Sequence, residues 1–134
     1  MADLRLAAWF LWITPLLAAL SSLVRAERMV WVISKCGERI QDRTLRWLDR
    51  NDFYRRTGIA PGNVRFCRKR ADKAGHCSEL GITHMVDDRL DVHVALRGLV
   101  PYLYLFGPQP EPAPNWVRHV RTWAELDENL SDTA

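Results

Sequence analysis

The stretch Met29-Val30-Trp31-Val32-Ile33-Ser34 is apolar until its last residue and rich in β-branched side chains. Alternation would mark a strand with one wet face. An unbroken apolar run marks a strand buried on both faces, as in a parallel sheet covered by helices on either side. The rest of the chain repeats that theme. Strands are predicted at Val64 to Cys67, Thr83 to Val86, Val100 to Phe106 and Trp116 to Val120. Helices are predicted between them: Glu38 to Arg50, Asp72 to Leu80 with Gly81 as C-cap, Leu90 to Leu96 ended by Gly98, and Thr122 to Leu130. Asn51 to Asn63 reads as a turn-rich connection with Gly58 and Pro61-Gly62 as breakers. Gly107 to Pro114, with four prolines, reads as an extended loop. Strands alternating with helices give an α/β fold, a three-layer Rossmann-like sandwich around a mostly parallel sheet.

The N-terminal segment reads in two ways. Leu6 to Val24 is nearly uncharged, flanked by Arg5 and Arg25, and as a targeting segment it would make an exported or membrane-tethered domain. Asp3 beside Arg5, Pro15 within the run and Ser21-Ser22 argue for a soluble reading. In that reading Leu6 to Ile13 is a buried strand, and a helix starts at Leu16 with Leu20, Leu23 and Val24 on one face. The chain then divides into an atypical apolar segment, 1–15, and an α/β domain, 16–134.

Composition narrows the class further. With 134 residues, 48% of them hydrophobic, the chain is long enough for one cored domain. Cys36, Cys67 and Cys77 are odd in number and show no C-x-x-C spacing, so zinc and a disulfide framework are disfavoured; reduced thiols point to the cytoplasm. His76, His84, His93 and His119 are dispersed and read as surface or loop residues. The net charge of +3 is small, and the basic cluster Arg65, Arg68, Lys69, Arg70 and Lys73 reads as a solvated face. Nucleic acid is therefore not an expected partner.

In open parallel sheets ligands sit beyond the carboxyl ends of the strands. Ser34 ends one strand, Lys73 opens the helix after the next, and Asp87-Asp88 end a third. A hydroxyl, an ammonium and a carboxylate pair on one rim suit phosphate chemistry. The first two hold and offset phosphoryl charge, and hard carboxylate oxygens suit Mg²⁺. Taken singly, Asp87-Asp88 would also serve to cap the following helix.

These segments, VWVISK (Val30 to Lys35), RKRADKAGHCSELGITH (Arg68 to His84) and MVDDRLDV (Met85 to Val92), resemble the second, third and fourth motifs of the haloacid dehalogenase-like (HAD) superfamily of hydrolases, in its capless or minimal-cap form. The resemblance implies that Ser34 binds the phosphoryl group and Lys73 steadies it. It makes Asp88 the leading metal ligand with Asp87 in support, and has Asp91 orient the site from behind. It implies a phosphorylated small molecule as ligand. The Asp-Asp-Arg of Asp87 to Arg89 is also similar to polynucleotide phosphatases, which makes nucleic-acid end-processing a further alternative.

The family's first motif, a central strand ending in Asp-x-Asp, supplies the nucleophile. No counterpart is present. The only Asp before Ser34 is Asp3, followed by Leu4 and Arg5. The first strand is expected to be missing or replaced by Leu6 to Ile13, the Mg²⁺ site to be weak or absent, and the chain to be a truncated product or a non-catalytic relative.

Overall fold

The computed structural model of the protein describes residues 5–8 and 29–131. Strands β1 (Arg5–Ala8), β2 (Met29–Lys35), β3 (Val64–Cys67), β4 (His84–Asp87), β5 (Tyr102–Phe106) and β6 (Arg118–Val120) form one sheet in the order β3-β2-β1-β4-β5-β6. Every pairing is parallel. The helices are α1 (Glu38–Arg50), α2 (Phe53–Thr57), α3 (Asp72–Leu80), α4 (Leu90–Leu96) and α5 (Trp123–Ser131). This is the expected three-layer α/β sandwich.

Period-two alternation sorts the core into two halves. Leu6, Val30, Val32, Val86, Tyr104 and Val120 point to one face, where Leu48 of α1, Phe53 of α2, and Leu126 and Leu130 of α5 cover them. Ala7, Trp31, Ile33, Met85, Leu103 and Leu105 point to the other, against Cys77 of α3 and Val92 and Leu96 of α4. Strands covered on both faces have no polar side, and this is why Val30 to Ile33 of β2 is apolar at every position.

Residues near the N-terminus fill the central slot. Arg5 to Ala8 pair with Met29 to Val32 on one side, and Leu6 to Ala8 pair with His84 to Val86 on the other. Without this strand β2 and β4 would each expose an apolar edge. The replacement expected from Leu6 to Ile13 is therefore present over Arg5–Ala8. Its remainder, and the helix expected from Leu16, lie outside the described residues. Arg5 also ties the strand into the corner ahead of β4. Its Nη1 donates to the carbonyl of Leu80 at 2.8 Å, its backbone N–H donates to Thr83 Oγ1 at 2.9 Å, and its carbonyl accepts from the Thr83 N–H. A cation at the last carbonyls of α3 is favourably placed. Gly81 closes that helix with φ of 63°, and a Cβ there would sit 3.3 Å from Arg5 Nη1. Among the described residues no helix is long and apolar enough to cross a membrane.

The structure departs from the expected elements in a few places. The connection 51–63 contains α2 and a 3-10 turn, Pro61–Asn63. Phe53 and Ile59 are buried in the first core, and the Thr57 hydroxyl links them by donating to the Phe53 carbonyl and accepting from the Ile59 N–H. Apolar anchors outweighed the breakers. β5 starts at Tyr102 rather than Val100, because Pro101 has no N–H to donate to a neighbouring strand. β6 is confined to Arg118–Val120, with 115–117 in a turn. Helix α5 opens with Thr122 Oγ1 accepting from Glu125 N–H while Glu125 reaches back to the Arg121 N–H, a variant of the capping box.

Candidate functional site

The six strands among the described residues run the same way, so their carboxyl ends share one rim. The register fixes who meets there. Ala8 pairs with both Val32 and Val86, which places Ser34 and Asp88 two residues beyond the same level on either side of β1. Ser34 is 2% exposed.

Lys73 and Asp87 come together directly. Asp87 alternates with Val86 and follows Met85 onto the face covered by α3. Lys73 lies one turn before the buried Cys77, and so shares the inward side of that helix. Lys73 Nζ donates to Asp87 Oδ2 at 2.8 Å, with the two residues only 5% and 2% exposed. The reading of Lys73 as part of a solvated basic face is thus corrected: a helix periodicity that also places Cys77 inward carries the ammonium under the rim. Its neighbours in the cluster divide. Arg65 pairs with Glu79 at 3.1 Å, and Arg68 donates to the Cys36 carbonyl and to Gln41 Oε1, both at 2.9 Å, joining the loops after β2 and β3.

Asp87 has a second task. Its Oδ1 accepts from the Arg89 N–H at 3.0 Å and shapes the turn into α4. Both of its oxygens are therefore engaged. Asp88 is exposed, and partial desolvation, then the adjacent Asp87 charge, push its carboxyl above the usual carboxylate range. Asp91 does not join this group. It forms a two-pronged pair with Arg89, 3.1 Å on each side, and the guanidinium holds its carboxyl below the usual range.

The sequence reading placed His84 and His93 at the surface; both are buried, at 3% and 0% exposure. His84 stacks on Tyr102 with ring centroids 4.5 Å apart. His93 lies on the inward side of α4 with Val92 and Leu96, and its Nε2 donates to the Asp87 carbonyl at 3.1 Å. A carbonyl can only accept, so this nitrogen carries the proton. The signal was available: His93 occupies an apolar helical position, three residues before Leu96. Burial lowers the His93 pKa below 6.5, its ordinary value. A depressed histidine contributes stability that is whole above the unfolded pKa and lost as pH falls toward the folded one. Urea melts are therefore expected to show stability declining below about pH 6.5, with a shallower decline in His93→Gln. An unchanged slope in that variant would rule out His93 as its source.

Gln109, from the loop after β5, completes the rim. Its Nε2 donates to the Asp88 carbonyl at 2.9 Å and lies 3.3 Å from the Phe106 carbonyl. The thiols of Cys36, Cys67 and Cys77 are free, and burial pushes Cys77 up to about 11.

No protein-family model matches this chain, and no curated protein matches it.

Proposed function

We propose that the protein is a HAD-like phosphohydrolase domain that binds a phosphorylated small molecule at the rim formed by Ser34, Lys73 and Asp88, and lacks the nucleophile needed to hydrolyse it. The buried Lys73–Asp87 pair beneath the carboxyl ends of β1 and β4 carries this reading. A surface lysine would need no such investment. A lysine held in place by a carboxylate at a ligand-binding rim is a preorganised charge for an anion. Ser34 on the far side of β1 adds a hydroxyl at the corresponding level. In sequence, the strand between them is followed by Trp9-Phe10-Leu11-Trp12, with no carboxylate to attack phosphorus. Free thiols fit a reducing, cytoplasmic setting.

Magnesium fits this donor set by kind and falls short by number. Asp87 is committed to Lys73 and to the Arg89 N–H, so Asp88 is the carboxylate left to meet a hard cation. A bound Mg²⁺ would neutralise phosphoryl oxygens there. One carboxylate holds this ion poorly, and calorimetry is expected to give a dissociation constant of about 1 mM or weaker. Low-micromolar binding that disappears in Asp88→Asn would show that another ligand is in place.

The function itself is tested by titrating the protein with inorganic phosphate, followed by ³¹P and amide NMR. Shifts are expected at Ser34, Lys73 and Asp88, with affinity weakened about tenfold in Ser34→Ala, a loss of about 1.4 kcal/mol. No shifts at the rim, in a protein whose amide spectrum is that of a folded chain, would remove the reading.

A further inference from the structure

Helix α1 carries four arginines in a line. Arg39, Arg43, Arg46 and Arg50 follow one another at intervals of four, three and four residues. With 3.6 residues per turn, these intervals keep the four within about 60° of the helix circumference, over a length of about 16 Å. All four are exposed, while Leu48, almost opposite them, is the residue that the helix buries in the first core. The stripe is therefore the outermost ridge of the helix.

Charges on an exposed helix usually alternate in sign, so that i,i+4 ion pairs form. Here they are sorted. Glu38, Asp42 and Asp49 fall about 90° to one side of the ridge, and Ile40 and Trp47 about 80° to the other. Among the described residues none of the four arginines forms an ion pair. Arg46 lies four residues after Asp42, in place for such a pair, yet its Nε donates to the Asp42 backbone carbonyl at 3.4 Å. The loop after β3 adds cations near the N-terminal end of the helix. Arg68 donates to Gln41 Oε1, and Lys69 and Arg70 beside it are exposed.

The arrangement selects the shape of the partner. A ridge of guanidinium groups calls for phosphate or carboxylate oxygens, which the planar fork of Arg meets two at a time. A nucleic-acid groove would close on both flanks and bring Glu38, Asp42 and Asp49 against phosphates. A flat anionic surface touches the ridge and one flank only. The helix can lean toward the apolar flank, where Ile40 is 46% exposed, and keep its carboxylates in water. Arginines beside an exposed apolar edge are the pattern of a helix that lies on a membrane. Leu48 stays in the core, so the contact is shallow.

We infer that α1 is a docking surface for an anionic membrane, with its arginine ridge on the lipid headgroups and Ile40 turned toward the acyl boundary. The inference stands apart from the phosphate-binding reading and does not depend on it.

The test is flotation of the whole chain with phosphatidylcholine vesicles, with and without about 30% phosphatidylserine. Binding is expected to the anionic vesicles alone at about 0.1 M salt, falling at least tenfold at about 0.5 M. A basic residue near such a surface changes partition about fivefold, so Arg43→Gln should cost that much, and Arg43→Gln with Arg46→Gln about 25-fold. Both sites are exposed and Gln is a good helix former, so the circular dichroism spectrum and urea midpoint should stay as they are. Arg97→Gln removes the same charge from the end of α4, on the other face of the sheet, and should change partition less than about twofold. Inorganic phosphate should displace no more protein than sodium chloride of equal ionic strength. Specific displacement by phosphate would put the headgroups at the Ser34 rim and overturn the proposal. Equal binding to neutral and anionic vesicles, binding to neither, or anionic binding untouched by the double variant would also overturn it. So would tighter binding to a DNA duplex of about 12 base pairs in the same buffer.

Discussion

Replacing Lys73 with alanine is expected to lower the free energy of unfolding by about 3–5 kcal/mol, the loss found when one partner of a buried ion pair is removed. Lys73 and Asp87 are both almost wholly excluded from water and stand 2.8 Å apart. Removing the ammonium leaves Asp87 charged and buried, with the Arg89 N–H as its remaining hydrogen-bond donor among the contacts described above. Domains of this size are stable by about 5–15 kcal/mol, so the variant should be marginally folded at room temperature. The discriminating measurement is a double-mutant cycle. Lys73→Met alone should lose most of the same stability, and Lys73→Met with Asp87→Asn should recover at least half of it, because the stranded charge is gone. The loss should also be insensitive to raising salt from 0.1 to 1 M, since a pair out of water is weakly screened. A cost below about 1 kcal/mol, or one that salt erases, is the signature of a surface pair and would contradict the burial described here.

The second large effect is an absence of catalysis. The pure protein is expected to turn over p-nitrophenyl phosphate with Mg²⁺ no faster than its Ser34→Ala variant. The proposed phosphoryl site has groups that stabilise charge, and in other enzymes such groups alone leave a residual acceleration of about 10³-fold over water. Phosphate monoesters react so slowly without a catalyst that such an acceleration stays below detection in an ordinary assay, because working enzymes supply far larger factors. What is missing is an attacking carboxylate: the sequence after β1 holds none until Glu27. Steady turnover that Asp88→Asn abolishes would mean that another group attacks phosphorus. Trapping a phosphoenzyme for mass spectrometry would then show which residue carries it.

Much of the architecture was legible because burial on both faces leaves a strong trace. Met29–Lys35, Val64–Cys67 and the helices Glu38–Arg50, Asp72–Leu80 and Leu90–Leu96 fall where apolar periodicity places them, within a residue at the ends. The strand-end rule also put Lys73 and Asp87 at one rim, where the two side chains meet, since in a parallel sheet the position of a residue along its strand already says which rim it occupies. Short elements were less legible. Phe53–Thr57 follows Asp52, which stands in the left-handed conformation, and is held by two buried apolar anchors, neither of which has a local sequence signature.

What the sequence by itself determined is the layer order of the chain, the rim on which its polar residues gather, and the lack of an Asp-x-Asp pair ahead of Ser34. Those follow from local periodicity and residue identity. The tertiary structure alone decided three things. Of the two outcomes the sequence left open at the central slot, a missing strand or a replacement, Arg5–Ala8 makes it the replacement, because two apolar strand edges needed covering. Lys73 leaves its basic neighbours for a buried partner fourteen residues away, and Asp91 turns to Arg89 instead of the acid pair. His93, read as a surface residue, lies fully buried on the carbonyl of Asp87. Each depends on which distant side chain arrives at the same place, and sequence spacing carries that information only within an element.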